Sequence, residues 1–172
     1  MPVLNRDELF YRGEIWRFLH NRSYSSYVKT DYNSKTISSG IILAGETLNR
    51  WYKKEAAFYL PVRVATFAAE YKFTYSKATV REARRRWGSC SVRGSISLNS
   101  KLILAPVWVS DAIIMHELCH TVHHNHGKMF LDMLRSIYPR WEEGKKWLKD
   151  HYAFIEKIWL SGQERDNLLN NG

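Results

Sequence analysis

Two histidines four residues apart, His116 and His120, constrain this chain more than any other feature of its sequence. Residues at this spacing project from the same face of an α-helix, so a helical segment lets both imidazoles meet at one point. Glu117 directly follows the first histidine, where it can reach a water molecule held at that point without binding the metal itself. The pattern predicts a helix that carries a metal site.

The helix that carries this pair is expected to run from about Pro106 to about His124. Proline is favoured in the first turn of a helix, and apolar residues at spacings of three and four predict one buried face. Asn125 and Gly127 follow, and both residue types tolerate the left-handed backbone angles that end helices. We therefore expect the chain to turn back just after His124.

Several side chains near the pair are candidates for a third ligand: His123, His124, His126, Glu142 and Glu143. On one straight helix His124 would lie about 12 Å along the axis from His116. Because a zinc–nitrogen bond measures only about 2.0–2.1 Å, one ion is not easily reached from both positions. His126 follows the expected helix end, and we favour it over His124 and over either glutamate. His123 and His124 are then expected at the surface or behind the ligands.

Three neutral imidazoles would leave one position of a tetrahedral zinc ion open for water, as in catalytic rather than structural sites. Zinc lowers the pKa of such a water to about 7, and Glu117 would take its proton as general base. The alternative is a structural zinc that joins the helix to the loop after it. Three imidazoles also admit cobalt, nickel or iron. We expect one zinc ion and a hydrolytic reaction.

The order of the predicted elements is strands, helix, strands, helices, which is typical of an α+β fold. Strands and turns are expected over 8–40, followed by a helix over 46–71 that Pro61 divides or kinks. Two strands are expected over 79–84 and 95–98. Helices are expected after 106 and over 130–137, and one or two more over 141–158. We predict a single domain over 1–172, made of N-terminal strands and turns (about 1–45), a core (46–160) and a frayed tail (161–172).

The chain is strongly basic, with a formal charge of +9 from 26 basic and 17 acidic side chains. This charge suits an anionic partner such as a nucleotide or nucleic acid, or else a solvated surface. Its densest basic run comprises Arg81, Arg84, Arg85 and Arg86. Only two cysteines are present, Cys90 and Cys119, and we expect both to be buried, reduced thiols. No signal-peptide or membrane-spanning pattern is visible, so a cytoplasmic location without membrane partners is expected.

The chain resembles the YgjP-like metallopeptidase family, a zincin group related to the SprT-type proteases. The resemblance covers about Glu46 to Leu148 and rests on ordered motifs: Arg86-Trp87-Gly88-Ser89-Cys90-Ser91, Gly94-Ser95-Ile96-Ser97-Leu98-Asn99, Leu102, Pro106, His116 to His120, and Asn125-His126. Tyr11-Arg12-Gly13-Glu14 is similar to a weaker N-terminal strand signal of that family. Gly127 departs from the serine that YgjP-like members often carry after the third histidine, and is similar to the SprT-type ending.

The resemblance implies a zincin-like fold, in which a small, mostly antiparallel sheet packs on helices that include the signature helix. It implies His116, His120 and His126 as zinc ligands and Glu117 as the catalytic acid and base. It also implies an edge strand at Ile96-Ser97-Leu98 that holds an extended peptide, with a core hairpin strand as the alternative.

The sequence allows more than one role for Arg86 and more than one class of substrate. Arg86 either binds an anionic group of the substrate or forms a structural ion pair, and we slightly favour the ion pair. Gly88 is expected at a tight turn or at a close approach of two backbones. The favoured function is a zinc peptidase acting on a polypeptide. The alternatives are a pyrophosphatase acting on uridine triphosphate, a DNA-associated protease of the SprT kind, and a non-catalytic domain stabilised by metal.

Overall fold

The N-terminal part of the chain forms a four-stranded sheet. The structure is a computed structural model that describes residues 4–5, 7–23 and 27–169, with side chains as far as residue 160. The strands are β1 (Glu8–Tyr11), β2 (Glu14–His20), β3 (Val28–Asp31) and β4 (Thr36–Ser39), in the order β1-β2-β4-β3. Two antiparallel hairpins, β1–β2 and β3–β4, are joined by parallel pairing of β2 with β4. The strands and turns predicted for this region are therefore present.

The turn between β1 and β2 attaches this sheet to the rest of the molecule. Arg12 and Gly13 both have positive φ, and their N–H groups donate hydrogen bonds to the carbonyls of Ile103 and Leu104. A Cβ at Gly13 would lie only 2.4 Å from Pro106 Cγ, so the close contact requires glycine. The turn thus packs directly against the segment that begins the signature helix.

The first helix, α1 (Gly45–Tyr71), is one continuous helix of 27 residues that contains Pro61. Of the two alternatives for Pro61, division into two helices is therefore wrong, and a kink within one helix stays a prediction. Proline leaves the carbonyl four residues earlier without its helical donor, but that residue, Ala57, is exposed, so water can take the donor's place. Residues at helical spacing, including Trp51 and Leu60, bury the opposite face.

A second, three-stranded sheet follows, made of β5 (Lys77–Arg81), β6 (Gly88–Cys90) and β7 (Ser95–Asn99). Its order is β5-β7-β6, with β7 parallel to β5 and antiparallel to β6. The strand at Ile96-Ser97-Leu98 is therefore central, and the expected edge strand at these residues is wrong. Both sides of β7 are already paired, and Ile96 and Leu98 are buried, so this segment is the core hairpin strand considered as the alternative.

Three more helices complete the fold, after a short 3₁₀ helix at Ser100–Leu104: α2 (Val107–Cys119), α3 (Lys128–Ile137) and α4 (Trp141–Leu169). The helix α2 ends at Cys119, five residues before the predicted end at His124. The N–H groups of Thr121 and Val122 bond to carbonyls three residues back, so the backbone tightens immediately after the helix. This early end lets the following loop fold back towards α2.

The C-terminal helix α4 is a single helix where one or two were predicted. Side chains from residue 161 onward and all of residues 170–172 lie outside the described part, so the frayed tail over 161–172 stays a prediction, as does the single domain over 1–172. No helix in the described residues is long and apolar enough to cross a membrane.

The core lies where α1, α2 and α4 pack together beneath the sheets. A Cβ at Gly144 of α4 would lie 2.6 Å from Ala112 Cβ of α2, which shows how closely these helices approach. Arg63 of α1 donates two hydrogen bonds, of 3.0 and 2.7 Å, to the carboxylate of Asp111 on α2. The predicted α+β class is confirmed, with two small mixed sheets and four α-helices among the described residues. This packing holds α2 rigidly beside β6.

Candidate metal centre

Three imidazoles converge at the end of α2. The Nε2 atoms of His116 and His120 are 3.2 Å apart, those of His120 and His126 are 3.2 Å apart, and those of His116 and His126 are 3.1 Å apart. His116 lies in the last turns of α2, His120 directly follows it, and His126 lies in the loop before α3. The structure thus brings together the three histidines that the sequence analysis favoured.

The spacing of these nitrogens fits a divalent metal. Two imidazole nitrogens bound to one tetrahedral zinc ion, with bonds of about 2.0–2.1 Å, are separated by roughly 3.3 Å. The observed separations of 3.1–3.2 Å are close to this value. Within the described residues, these three histidines form the single group of three or more potential ligands that converge. The donor set therefore suits zinc, and it contributes three ligands rather than four.

The orientation of His120 is set by the loop that follows it. Its Nδ1 lies 3.0 Å from the carbonyl oxygen of His123, so this nitrogen carries the proton and donates. The lone pair is then on Nε2, which faces the other two histidines. The backbone of His123 thus supports the site from behind the ligands, which is one of the two positions expected for this residue. The side chain of His124 is exposed and lies outside the converging group.

Burial keeps two of the imidazoles neutral. It lowers the pKa of His116 to about 4, with smaller contributions from His120, His126 and Lys145. Burial also lowers the pKa of His120, although its hydrogen bond to the His123 carbonyl acts in the opposite direction. Because only a neutral imidazole can bind a metal, the surroundings prepare these residues for that task at neutral pH.

An aromatic ring that the sequence analysis did not assign to the site lies against all three imidazoles. The Phe130 ring centroid is 5.0 Å from that of His116, 4.5 Å from that of His120 and 4.9 Å from that of His126. Phe130 is fully buried in the first turn of α3. Its spacing with Met133, Leu134 and Ile137 marks it as a helix core residue, but no local pattern indicates contact with three histidines.

Glu117 is buried beside the three imidazoles, with 5% of its surface exposed. A Cβ at Gly88 would lie 2.5 Å from Glu117 Oε1 and 2.7 Å from its Cγ, so the backbone of β6 lies directly on this side chain. Burial raises the pKa of Glu117 to about 7, and the nearby Arg86 lowers it. Gly88 lies in a strand rather than in a tight turn, and it is the close approach of its backbone, here to Glu117, that is observed.

The remaining candidate residues lie outside the group of imidazoles. Glu142 and Glu143 are exposed and pair with Arg135 and Arg140, so neither supplies a third ligand here. Arg86 is exposed and forms no ion pair with any carboxylate in the described part of the chain, so the structural ion pair that we favoured is not observed there.

The two cysteines are free thiols, as expected. Cys119 is fully buried, and burial raises its pKa to about 12. Cys90 is only half-buried, and burial together with the nearby Glu117 raises its pKa. Neither thiol belongs to the converging ligand group.

An α+β fold in which one helix presents two histidines and a buried glutamate, with a third histidine in the next loop, defines the zincin-like class of metal sites. A family model described as YgjP-like, metallopeptidase domain, matches residues 3–151 of the chain. The chain therefore belongs to the YgjP-like metallopeptidase family. No curated protein matches it.

Proposed function

We propose that this protein is a zinc-dependent peptidase with His116, His120 and His126 as its metal ligands and Glu117 as its general base. The observation that carries the proposal is the convergence of three Nε2 atoms within 3.2 Å of one another beside a buried glutamate. A structural zinc site would have no use for that glutamate, whose charged form is disfavoured by burial. The family supports a peptide as the substrate.

Each protein group has a distinct task in this mechanism. Bound zinc supplies Lewis-acid chemistry, which polarises a carbonyl and makes water more acidic. The carboxylate of Glu117 accepts the proton of the attacking water and later transfers it to the amine that leaves. Its pKa of about 7 suits both directions of transfer near neutral pH. Gly88 holds the carboxylate in place, and Arg86 stabilises its charged form.

The strand that binds the peptide is β6 rather than β7 in this proposal. β6 is an edge strand, and it packs beside Glu117 through Gly88. The carbonyl of Trp87 and the N–H of Ser91 bond towards β7. Because backbone groups alternate along a strand, those of Gly88 and Cys90 point to the open edge. An extended substrate can add to this edge and bring its backbone alongside the metal centre.

The other functions considered have less support. A magnesium-dependent pyrophosphatase would need an acidic cluster for its metal, and the described residues contain no such converging group of carboxylates. No observation favours a DNA-associated protease over a general peptidase. Zinc peptide hydrolysis remains the function that the site supports best.

Two variants test this function. In Glu117→Gln, we expect zinc content to stay at one ion per chain while turnover of casein-like polypeptide falls by about 10³-fold or more, because the general base is lost. In His126→Ala, we expect zinc affinity to fall because one of three ligands is missing. His124→Ala, which changes a neighbouring exposed histidine, is the matched control and should retain both zinc and turnover. Full turnover by metal-loaded Glu117→Gln would refute the mechanism.

A further inference from the structure

A basic cavity of about 500 Å³ lies on the face of the second sheet that carries Ser89 and Ser97. Four arginines line it: Arg81 at the end of β5, and Arg84, Arg85 and Arg86 in the segment between β5 and β6. The same cavity reaches Gly88, whose backbone covers Glu117. The cavity and the proposed catalytic base are therefore on opposite sides of one short edge strand.

The protein neutralises the positive charge of this cavity only in part: Glu82 also lines it, and Glu117 lies near Arg86. None of the four arginines forms an ion pair with a carboxylate of any residue whose side chain the structure describes. Glu82, the acidic residue of the segment, instead pairs with Lys53 at 3.3 Å and accepts a hydrogen bond of 2.7 Å from Trp159 Nε1. The arginines are thus available to an external anion, and a guanidinium group suits a carboxylate well.

The backbone that carries the arginines is held in place. The buried side chain of Asn99 donates hydrogen bonds of 2.8 and 2.9 Å to the carbonyls of Ala83 and Arg86. The Tyr152 hydroxyl donates another, of 3.1 Å, to the carbonyl of Arg84. A backbone fixed by three such bonds loses little further freedom when a ligand binds, so the points from which these arginine side chains extend are preorganised.

The alternation of side chains along a strand connects this cavity to a bound peptide. Ser89 pairs with Ser97, and both face the cavity. Gly88 has its Cα on the opposite face, towards Glu117. If a peptide adds to the open edge of β6, its residue opposite Ser89 directs its side chain to the same face as Ser89. That side chain then points towards the arginines.

We propose that this cavity is a specificity site for an acidic side chain of the peptide substrate, bound by Arg84 and Arg85 while the peptide pairs with β6. The inference rests on the proposed peptidase function and adds a substrate class to it. Because both arginines are exposed, salt screens part of their interaction with the peptide. We expect about a tenfold preference for aspartate or glutamate over the corresponding amide at low salt, and a smaller one at high salt.

The test uses zinc-loaded protein and fluorogenic peptides with amidated C-termini that differ at one residue, scanned on both sides of the cleaved bond. Aspartate, asparagine and lysine are compared at each position by kcat/KM. Binding of the same peptides to zinc-loaded Glu117→Gln is measured by fluorescence anisotropy, which needs no turnover. Combining Arg84→Gln with Arg85→Gln should reduce the acidic-to-amide ratio to about one. Arg93→Gln removes one exposed arginine from the β6–β7 turn, outside the cavity, and should leave the ratio unchanged.

The possible outcomes separate the two proposals. Equal binding and cleavage of acidic and amide peptides would overturn the acidic site while leaving the peptidase intact. An acidic preference in binding, without cleavage of any peptide by the wild-type protein, would count against the peptidase and not against the site. A preference that survives in the double variant would overturn the role of these arginines. A preference only for a free C-terminal carboxylate, or binding of uridine triphosphate or single-stranded DNA but not of the peptides, would also overturn it.

Discussion

The contact between Gly88 and Glu117 makes Gly88→Ala the most informative single substitution in this protein. The added Cβ would lie 2.5 Å from Glu117 Oε1, 2.7 Å from Cγ and 2.9 Å from Cδ. Ordinary contacts between such atoms are about 3.5–4.0 Å, so the carboxylate must move by about 1 Å. It cannot move freely, because Glu117 is 95% buried between α2 and β6. The new methyl group therefore displaces the proposed base.

The substitution is expected to lower the rate strongly while the protein stays folded. A displacement of about 1 Å in a catalytic group can lower the rate about 100-fold, which corresponds to about 2.7 kcal/mol of transition-state stabilisation. Insertion of one methyl group into a packed site costs about 1–3 kcal/mol of folding free energy. The three atoms nearest to the new methyl group all belong to Glu117 and none to an imidazole, so zinc should still bind. We expect Gly88→Ala to fold, to hold one zinc ion and to lose about 100-fold in kcat/KM.

The assay combines metal analysis, thermal unfolding and peptide hydrolysis on the same preparation. Val92→Ala is the control, since it changes a residue of the neighbouring turn whose side chain is 79% exposed. It should match the wild-type protein in all three measurements. A fully zinc-loaded Gly88→Ala protein with kcat/KM within threefold of the wild-type value would refute the reasoning, because Glu117 could then move without consequence.

Three further predictions concern the support of the site. Phe130→Leu should weaken zinc binding about 10-fold to 100-fold, because Phe130 positions all three imidazoles. Met129→Ala changes an exposed neighbour and should leave zinc affinity unchanged. A competition titration with a chelator measures the zinc affinity of both variants. In the metal-free protein, Glu117→Gln should raise the free energy of unfolding at pH 8 by about 2–3 kcal/mol and leave it unchanged below pH 4.5, as measured by denaturant titration. The pKa of Glu117 is raised from 4.5 to about 7, so the stability that its protonated form contributes is complete below pH 4.5 and is lost as pH rises through 7. A gain in the free energy of unfolding that did not depend on pH would contradict this reasoning. Asp111→Ala should destabilise the fold by about 2–3 kcal/mol, because it leaves Arg63 unpaired between two helices. Thermal unfolding measures this loss, and a value below about 0.5 kcal/mol would contradict the role of the ion pair.

Much of the metal centre could be predicted because it depends on local spacing. His116 and His120 share a helix face wherever that helix lies, and the chain can return His126 to them only if the helix ends in between. The end itself was placed five residues too late. The loop residues Asn125 and Gly127 suggested a later stop, whereas the chain tightens immediately after His120 through bonds to Leu118 and Cys119.

The substrate side of the site could not be predicted in the same way. The segment Ile96-Ser97-Leu98 is a strand as expected, but its neighbours on both sides come from other parts of the chain. A strand of three residues such as β6 has no periodicity of its own, and its Gly88 fits a turn equally well. No short pattern shows that β6 is at the open edge.

The sequence by itself determined the α+β class and the grouping of the proposed histidine ligands with Glu117, because helical spacing and the order of elements are properties of neighbouring residues. Only the tertiary structure decided that β6 is the edge strand, that Gly88 lies on Glu117, and that the Phe130 ring contacts three imidazoles. These relations join residues that are distant in the chain. They arise from how sheets and helices pack, and packing depends on the shape of the whole core rather than on any one segment.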